Sequence, residues 1–371
     1  MSTDYSGNVC VSTNTSNDAA VQYRHYTCLG DIPMSSAEWD RIVELADVGG
    51  IFLSHLWIHQ WWTHFGEDKE LFFVTAELDG KVIGFVALMI DCDKNLRFIA
   101  DKKSDYLGFA LPPDQQHLFT GFIAYLNDCR DRWKIAHLRN IPRDSAQRQF
   151  LESSCLDIGL SVWNNYSVAA PYLKVTGNGD AVESILNQSR FRRSERQVHS
   201  QGDVTFEVIK TRERAAAFWE SFARQNIERC SQRGDKSAFS DPNYLPFLKS
   251  IFENDPQQKW VHFSVVLLDD RPIAFHFGFI SQNRLIWYKP SFDLGIRKGS
   301  PGIVLIHGLI DYALENSILE FDFTIGEEPF KDRFCRDRRI VDEFRIYQSR
   351  AHYLIELNYW RARRLLKRIA E

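Results

Sequence analysis

The chain has 371 residues, which exceeds the usual size of one compact core, so two domains are expected. Apolar residues make up 44% and charged residues 25%, a composition typical of a globular protein that argues against disorder or a fibre. Lys and Arg number 45 against 49 Asp and Glu, which gives a net charge of -4. This balance excludes the strongly basic character of a general nucleic-acid binder, so nucleic acid is not an expected partner.

The cysteines and the N-terminal segment bear on where the protein resides. Seven cysteines are scattered without a CxxC pair, which favours reduced thiols over a disulfide framework or a zinc site. Residues 1–20 are rich in Ser, Thr and Asn and lack the features of a secretory signal, so we predict a disordered tail there. No apolar run reaches the roughly 18–20 residues that span a bilayer. Together these features predict a cytoplasmic protein.

Apolar periodicity and turn residues predict alternating strands and helices. In the first half we predict strands at 21–27, 70–78, 81–91, 96–100, 134–139 and 160–174, and helices at 36–47, 54–65, 114–128 and 143–156. A glycine-rich break at 177–180 separates the halves. In the second half we predict strands at 203–210, 260–268, 271–280, 284–289, 319–325 and 339–348. The predicted helices of this half lie at 181–199, 211–229, 302–315 and 350–369, and a further helix ends near Phe252.

The two halves nearly repeat each other. Leu78–Phe85 (LDGKVIGF) and Leu268–Phe275 (LDDRPIAF) each combine an acidic tight turn with flanking β-rich residues, the pattern of a β-hairpin. A helical stretch precedes each hairpin, and a short strand, a loop and an amphipathic helix follow it. This shared order predicts an α+β fold of two tandem units, each a mixed, mostly antiparallel sheet flanked by helices. We expect the units to span 21–177 and 178–371.

The segment Arg297–Gly302 follows a predicted strand and opens a helix. Ser300 suits the N-cap and Pro301 the first turn. Gly299 and Gly302 let the backbone approach a ligand closely. Free amides and the helix dipole at such a start bind anions, so we predict a phosphate site here, with an ordinary strand-to-helix turn as the alternative.

Charge separates this loop from its counterpart in the first half. Arg297 and Lys298 place two cations beside the predicted phosphate site. The corresponding loop at 109–114 has no glycine and carries Asp114. Only the second unit is therefore expected to bind an anion.

Several segments resemble motifs of the tandem GNAT-like acetyltransferases over about residues 50–350. The closing motifs are Tyr288–Asp293 (YKPSFD), Ser300–Gly302 (SPG) and Phe321–Lys331 (FDFTIGEEPFK), and further matching runs are Ser54–Phe65, Ser104–Tyr106 and Arg190–Gly202. These proteins are described as acetyltransferases of cellulose or exopolysaccharide biosynthesis and are relatives of the Fem-type aminoacyl transferases. The resemblance implies an N-acyltransferase fold that uses acetyl-CoA or another acyl-CoA, with the coenzyme A pyrophosphate on the 297–302 loop. It also implies that a splayed strand at about 286–288 offers backbone N–H groups to the thioester carbonyl.

Acyl transfer to an amine needs a neutral nitrogen, a polarised carbonyl and a proton for the leaving thiolate. Asp322 lies between Phe321 and Phe323, and partial burial there suits a base, while a structural acid bonded to backbone or arginine is the alternative. The resemblance selects Lys331 as a group that steadies a phosphate or an oxyanion; a surface lysine is the alternative.

Two further catalytic candidates lie on the predicted strands of the second unit. Tyr288, beside Lys289, is a candidate acid for the thiolate, with a core position as the alternative. His276 shares a strand face with Ala274 and Gly278. These small neighbours leave room for a ligand or for another backbone, so His276 is a candidate base or amine-binding group.

The first unit contributes weaker candidates. Asp105 and Tyr106 resemble a family position that contacts substrate, so we predict a substrate-binding role for both. His55 and His59 have the spacing of metal ligands, but no HExxH pattern accompanies them, so packing is favoured and no metal site is predicted. The basic closing helix at 350–369 either complements its own dipole or makes peripheral membrane contact.

Three functions follow from these features. The favoured one is an acyltransferase that moves an acyl group from acyl-CoA to an amine of a sugar or small metabolite, with exopolysaccharide biosynthesis as the context that the resemblance implies. The second is a Fem-type transferase that uses aminoacyl-tRNA. The third is a non-catalytic scaffold of a polysaccharide assembly.

Overall fold

A computed structural model of the protein describes residues 21–370 apart from 256 and 336, with the backbone alone for 363–370. The tail predicted at 1–20 lies outside the described residues. Chain contacts divide the protein into a first unit, Met1–Trp62, Gly66–Ser167 and Ile340–Glu371, and a second unit, Thr63–Phe65 and Val168–Arg339.

The described elements follow the predicted order closely. Residues 21–174 form strands β1 (Gln22–Tyr26), β2 (Glu70–Leu78), β3 (Lys81–Ile90), β4 (Asn95–Phe98), β5 (Ile135–Pro142) and β6 (Ser161–Lys174), with helices α1 (Ser36–Leu45), α2 (His55–Phe65), α3 (Gln116–Asp128) and α4 (Ala146–Asp157). Residues 179–370 form helices α5 (Gly179–Leu186), α6 (Ser189–His199), α7 (Arg212–Ala216), α8 (Trp219–Gln232), α9 (Tyr244–Glu253), α10 (Pro301–Glu315) and α11 (Arg350–Ala370), with strands β7 (Val204–Val208), β8 (Val261–Leu268), β9 (Arg271–Ser281), β10 (Arg284–Phe292), β11 (Glu320–Asp322) and β12 (Asp337–Tyr347).

Each unit has a mixed sheet built on the same plan. The strand order is β1-β2-β3-β4-β5-β12-β6 in the first unit and β6-β11-β10-β9-β8-β7 in the second. The β4·β5 and β10·β11 pairs are parallel, and the other pairs whose register is described are antiparallel. The predicted α+β fold of two tandem, mostly antiparallel units is therefore confirmed.

The two hairpins share their strand register and their turn conformation. Leu78 pairs with Lys81, and Leu268 pairs with Arg271. One register irregularity interrupts each hairpin at the same distance from its turn, at Ala76/Glu77 and at Val266/Leu267. The turn residues Asp79–Gly80 and Asp269–Asp270 all have positive φ angles between 48° and 74°, as a two-residue hairpin turn requires.

The structure differs from the sequence-based predictions in the unit boundary and in two of the helices. The unit boundary falls at 167/168 rather than at 177, and the segment from Ile340 onward is counted with the first unit because β12 pairs with β5 there. The helix predicted at 181–199 is two helices, since Gln188 has an extended ψ of 129° before α6. The helix predicted at 211–229 is likewise divided into α7 and α8.

Helix α10 supplies much of the core of the second unit. Its buried residues Leu305, Leu309 and Ile310 belong to the same cluster as Phe321 of β11 and Phe191 of α6. This packing fixes the start of α10 against the ends of the strands. Among the described residues, no helix has the length and apolar character that crossing a bilayer requires.

Candidate active site

Helix α10 begins at Pro301 with Ser300 as its N-cap. The Ser300 side chain makes no capping hydrogen bond, and its carbonyl accepts the amides of Ile303 and Val304 at 3.0 and 3.3 Å. Pro301 has no amide hydrogen, and no described residue accepts the amide of Gly302. The first turn of α10 therefore presents the Gly302 amide and the positive end of the helix dipole.

The residues before this helix pack against α6. Gly299 has a φ of +80°, and a Cβ there would overlap the carbonyl of Ser194. Gly299 is thus required by backbone conformation and packing. The carbonyl of Lys298 accepts a hydrogen bond from Gln201 Nε2 (2.8 Å), and the side chains of Arg297 and Lys298 are exposed, outside the cavity described next.

A cavity of about 310 Å³ opens at the start of α10, with Ser300 and Gly302 in its wall. Its aromatic lining comes from Phe191, Trp287, Phe292, Phe330 and Phe334. Three arginines complete the wall, namely Arg229, Arg233 and Arg333. The cavity thus combines a helix start, an aromatic surface and cations, as a ligand with anionic and apolar parts requires.

Arg229 is the most enclosed of these cations. Its guanidinium donates a hydrogen bond to a backbone carbonyl of β10 (2.9 Å) and lies over the ring of Phe292 at 4.8 Å. Burial and the nearby charge of Arg233 lower the pKa of Arg229 from its ordinary value. Among the described residues no carboxylate forms an ion pair with Arg229 or Arg333. The guanidinium groups of Arg229 and Arg333 thus have no carboxylate in direct contact among the described residues, whereas Arg233 pairs with Asp235 (3.0 Å).

Strands β10 and β11 separate beside the cavity. They pair in parallel only from Arg284 to Ile286 of β10. Beyond that point the hydroxyl of Thr324 donates a hydrogen bond to the Trp287 carbonyl (3.2 Å). The separation predicted at about 286–288 is therefore present in the fold, and Trp287 lies in it.

Asp322 is wholly buried at the end of β11. Its carboxylate accepts the amide hydrogen of Thr324 (2.8 Å) and forms an ion pair with Arg339 (3.2 Å), which also contacts Glu320. These contacts are those of the structural alternative given for this residue. The role of Asp322 as a base remains a prediction.

Lys331 is also buried, with 2% of its side chain exposed. Its ammonium donates to the carbonyls of Thr324, Ile325 and Gly326 (3.1–3.4 Å) and forms an ion pair with Glu328 at 2.8 Å. Lys331 is thus not a surface lysine. It organises the segment after β11, and its predicted role at a phosphate or an oxyanion is untested.

Tyr288 and His276 lie on opposite faces of the sheet. The Tyr288 hydroxyl accepts a hydrogen bond from that of Tyr244 (3.2 Å), and the Lys289 ammonium lies 4.6 Å from the Tyr288 ring centroid. His276 is wholly buried and stacks on Trp287, and burial lowers the pKa of His276 well below its usual range. Its imidazole is therefore neutral. The acid role of Tyr288 and the base or amine-binding role of His276 remain predictions.

Asp105 and Tyr106 belong to the first unit, whereas the residues that line the cavity belong to the second. Tyr106 is buried near Phe52, and Asp105 is half-buried. Their predicted contact with substrate is untested. Over the described part of the chain, no group of three or more His, Cys, Asp or Glu residues is placed to hold a metal ion.

Sequence reasoning missed the cavity arginines. Arg229 and Arg233 stand one helical turn apart at the end of a helix, a spacing that brings them to one face. Arg333 follows Lys331 by two residues and lies just beyond the matching segment Phe321–Lys331. The spacing of Arg229 and Arg233 was a usable signal, but an arginine pair at a helix end is common on solvated surfaces.

Comparison with known proteins agrees with this geometry. Residues 187–332 match the family model described as an acetyltransferase (GNAT) domain. The crystal structure of FemX superposes with a TM-score of 0.64 at 10% sequence identity, covering 87% of this chain and 98% of FemX. A conserved protein of unknown function from Bacteroides thetaiotaomicron superposes with a TM-score of 0.59 at 13% identity, covering 85% and 98% of the two chains. No curated protein matches the sequence significantly.

The family match thus makes residues 187–332 similar to a GNAT acetyltransferase domain, and the likeness to FemX concerns the fold. The chain has the tandem GNAT-like fold that FemX shares, and its second unit contains a GNAT acetyltransferase domain.

Proposed function

We propose that the second unit is an acyl-CoA-dependent N-acyltransferase that moves an acyl group from a thioester to an amine. One observation supports this most strongly: the cavity at the start of α10 joins a free helix-start amide to an aromatic wall and to unpaired guanidinium groups. A coenzyme A thioester has matching parts, a pyrophosphate and a long uncharged arm. The cavity volume of about 310 Å³ lies in the range of small-molecule sites.

We assign different residues of the cavity to different parts of the acyl-CoA. The Gly302 amide and the Arg229 guanidinium are the groups we assign to phosphate oxygens. Trp287 and Phe334 would cover the uncharged arm. The backbone of β10 at 286–289 is the place we assign to the thioester carbonyl, because the parallel pairing of β10 with β11 ends at Ile286. Tyr288 is the proton donor that we retain for the leaving thiolate.

The acceptor is an amine, and we propose that a sugar or a small metabolite carries it. Transfer requires the amine in its neutral form, with its proton passed on as the amide bond forms. A cytoplasmic location and a role in exopolysaccharide biosynthesis are parts of the proposal that depend on the resemblance alone.

Calorimetry with acetyl-CoA and with longer acyl-CoAs tests the proposal directly. The sharpest variant is Gly302→Glu, which puts a carboxylate beside the amide that we assign to phosphate. A Cβ at Gly302 meets only ordinary contacts, 3.4 Å from Phe292, and an acid in the first turn favours the helix. The isosteric Gly302→Gln controls for size. Gly299→Glu is a poor test, since any side chain there collides with α6.

The proposal requires that the wild type binds acyl-CoA and that Gly302→Glu binds it at least about 100-fold more weakly than Gly302→Gln. A wild-type protein that ignores every acyl-CoA of the series would refute the donor assignment.

An aminoacyl-tRNA donor is the second candidate, favoured by the exposed Arg233 and Arg333 beside the cavity and by the fold shared with FemX. Retention of charged tRNA in a gel shift at physiological salt, without acyl-CoA binding, would replace the first candidate by the second. A protein that binds neither donor and transfers nothing to a panel of amines would be a scaffold.

A further inference from the structure

Strand β10 is irregular at one place. Ile286 pairs with Phe279 and Lys289 pairs with Phe277, so two residues of β10 stand opposite one residue of β9. This arrangement is a β-bulge, which leaves backbone groups without ladder partners and re-aims side chains. Trp287 lies inside the bulge and lines the cavity.

The imidazole of His276 lies against this bulge from the β9 side. Its Nε2 accepts a long hydrogen bond from the amide of Tyr288 (3.4 Å), and its ring stacks on Trp287 with the centroids 5.0 Å apart. A Cβ at Gly278 would overlap the imidazole. The ring therefore fills the space of the side chain that is missing opposite the bulge.

The first unit has the same strands without the bulge. Its β3 strand corresponds to β9 with a constant offset, so Val86 stands in the place of His276 and Leu88 in the place of Gly278. Leu88 pairs directly with Phe98, and the described register of this pair has no shift. The strand opposite His276 and Gly278 therefore has a bulge, whereas the strand opposite Val86 and Leu88 has a regular register where the pairing is described.

We propose that His276 is a positioning residue: seated over Gly278, its imidazole holds β10 in the bulged form and thereby sets Trp287 as a wall of the cavity. On the other side of the bulge, the Thr324 hydroxyl holds the Trp287 carbonyl (3.2 Å). Side chains from both sides thus replace the ladder bonds that the bulge removes. The consequence for donor binding rests on the proposed function, whereas the effect on the strand does not.

The protonation state of His276 agrees with this role. When Nε2 accepts the Tyr288 amide, the neutral ring has its hydrogen on Nδ1, which is buried without a partner among the described residues. Burial, reinforced by His262 with its ring 5.8 Å away, lowers the pKa of His276 and keeps it neutral. A wholly buried neutral ring supports a fixed hydrogen-bond acceptor better than a group that exchanges protons with substrate.

Three variants separate this role from general core packing. His276→Phe keeps a ring and removes the acceptor, and His276→Gln keeps a polar atom at the reach of Nε2. His262→Phe is the matched control, because His262 is equally buried and has no described hydrogen bond to β10. The measurements are amide hydrogen exchange at Tyr288 and the dissociation constant for coenzyme A, with amides of the β2–β3 hairpin as the internal reference.

We expect His276→Phe to accelerate exchange of the Tyr288 amide and to weaken coenzyme A binding, each by about tenfold or more. His276→Gln should lie within about threefold of the wild type in both, since it restores an acceptor. His262→Phe should leave both unchanged.

Two outcomes overturn the proposal: unaltered exchange in His276→Phe, or the same acceleration in His262→Phe. If His276→Phe does not fold, hydrogen exchange in the wild type tests the proposal instead. A Tyr288 amide that exchanges as fast as the amides of exposed loops would have no hydrogen-bond acceptor, and the proposal would be wrong. Slow exchange in the wild type, retained in His276→Gln, supports the role. If the wild type binds no acyl-CoA, the proposed function fails, and the exchange measurement still tests His276.

Discussion

The two units share a hairpin and differ at the start of the helix that follows it. In the second unit a cavity of about 310 Å³ opens at α10. In the first unit the space near α3 measures about 10 Å³. The same order of strands and helices therefore supports either an open cavity or a filled core.

Side chains explain the difference. In the first unit Gln147 reaches the loop before α3, where its amide donates to the Phe109 carbonyl and accepts from the Phe109 amide, both at 2.7 Å. Leu111 and Phe119 line the small remaining space. In the second unit the helix start has Gly302 instead, and Gln201 bonds the preceding loop at Lys298 without being one of the described residues that line the cavity. The comparison teaches that the side chains at the helix start, rather than the order of elements, distinguish a unit with an open cavity from a unit with a filled core.

The largest effect is expected where the two units place different residues at the same strand position. Asp322 pairs in register with Ile286, as His137 pairs with Arg97 in the first unit. Asp322→Asn removes one of the two carboxylates that pair with the buried Arg339 and leaves only Glu320, so we expect a loss of about 3 kcal/mol in the free energy of unfolding. His137→Asn should cost about 1 kcal/mol, since it removes no charge partner. Urea unfolding followed by circular dichroism measures both, and equal losses would contradict the buried-charge argument.

A second difference between the units concerns pH. His262 stands where the first unit has Phe72, and burial lowers the pKa of His262 from its ordinary 6.5 to about 4. Between these values the unfolded chain binds a proton that the native state excludes, so the free energy of unfolding falls as the pH falls from 6.5 to about 4. The loss should be on the order of 3 kcal/mol over that window.

His262→Phe should remove this part of the pH dependence. Urea midpoints of both proteins at several pH values between neutrality and the lower limit test it. Parallel curves for the two proteins would show that His262 does not contribute.

The cavity itself can be probed with Arg229→Met, which keeps an apolar stem over Phe292 and removes the charge. We expect donor binding to weaken by about 10- to 100-fold, because a charged hydrogen bond in an enclosed site is lost. Arg224→Met, on the exposed side of the same helix and paired with Glu228, should bind as the wild type does. Calorimetry compares them, and similar affinities would remove Arg229 from the site.

The smallest effect concerns the turns that the units share. Asp270 adopts a φ of +62°, where the first unit has Gly80 at +74°. Asp270→Gly relieves this backbone strain and should stabilise the protein by roughly 0.5–1 kcal/mol. The reverse exchange, Gly80→Asp, should destabilise by a similar amount in thermal unfolding. If Asp270→Gly destabilised the protein and Gly80→Asp stabilised it, the entropy of the unfolded chain would outweigh backbone strain at both turns.

Local patterns predicted the elements that depend on neighbours in sequence. Acidic turn residues between β-rich runs predicted both hairpins, and Ser300–Pro301–Gly302 predicted the start of α10. These features succeed because turn and cap geometry is determined within a few residues. The prediction of one continuous helix at 181–199 was wrong, because local helix propensity did not reveal the break at Gln188.

The amino-acid sequence by itself determined the tandem α+β plan, the hairpin turns and the helix start with an unpartnered amide. Only the tertiary structure decided that Arg229 and Arg333 face the same cavity, that Lys331 and Asp322 are held by the segment after β11, and that His276 lies against a bulge. Turns and caps are properties of adjacent residues, whereas a cavity and a buried charge are made by side chains that the fold brings together from distant parts of the chain.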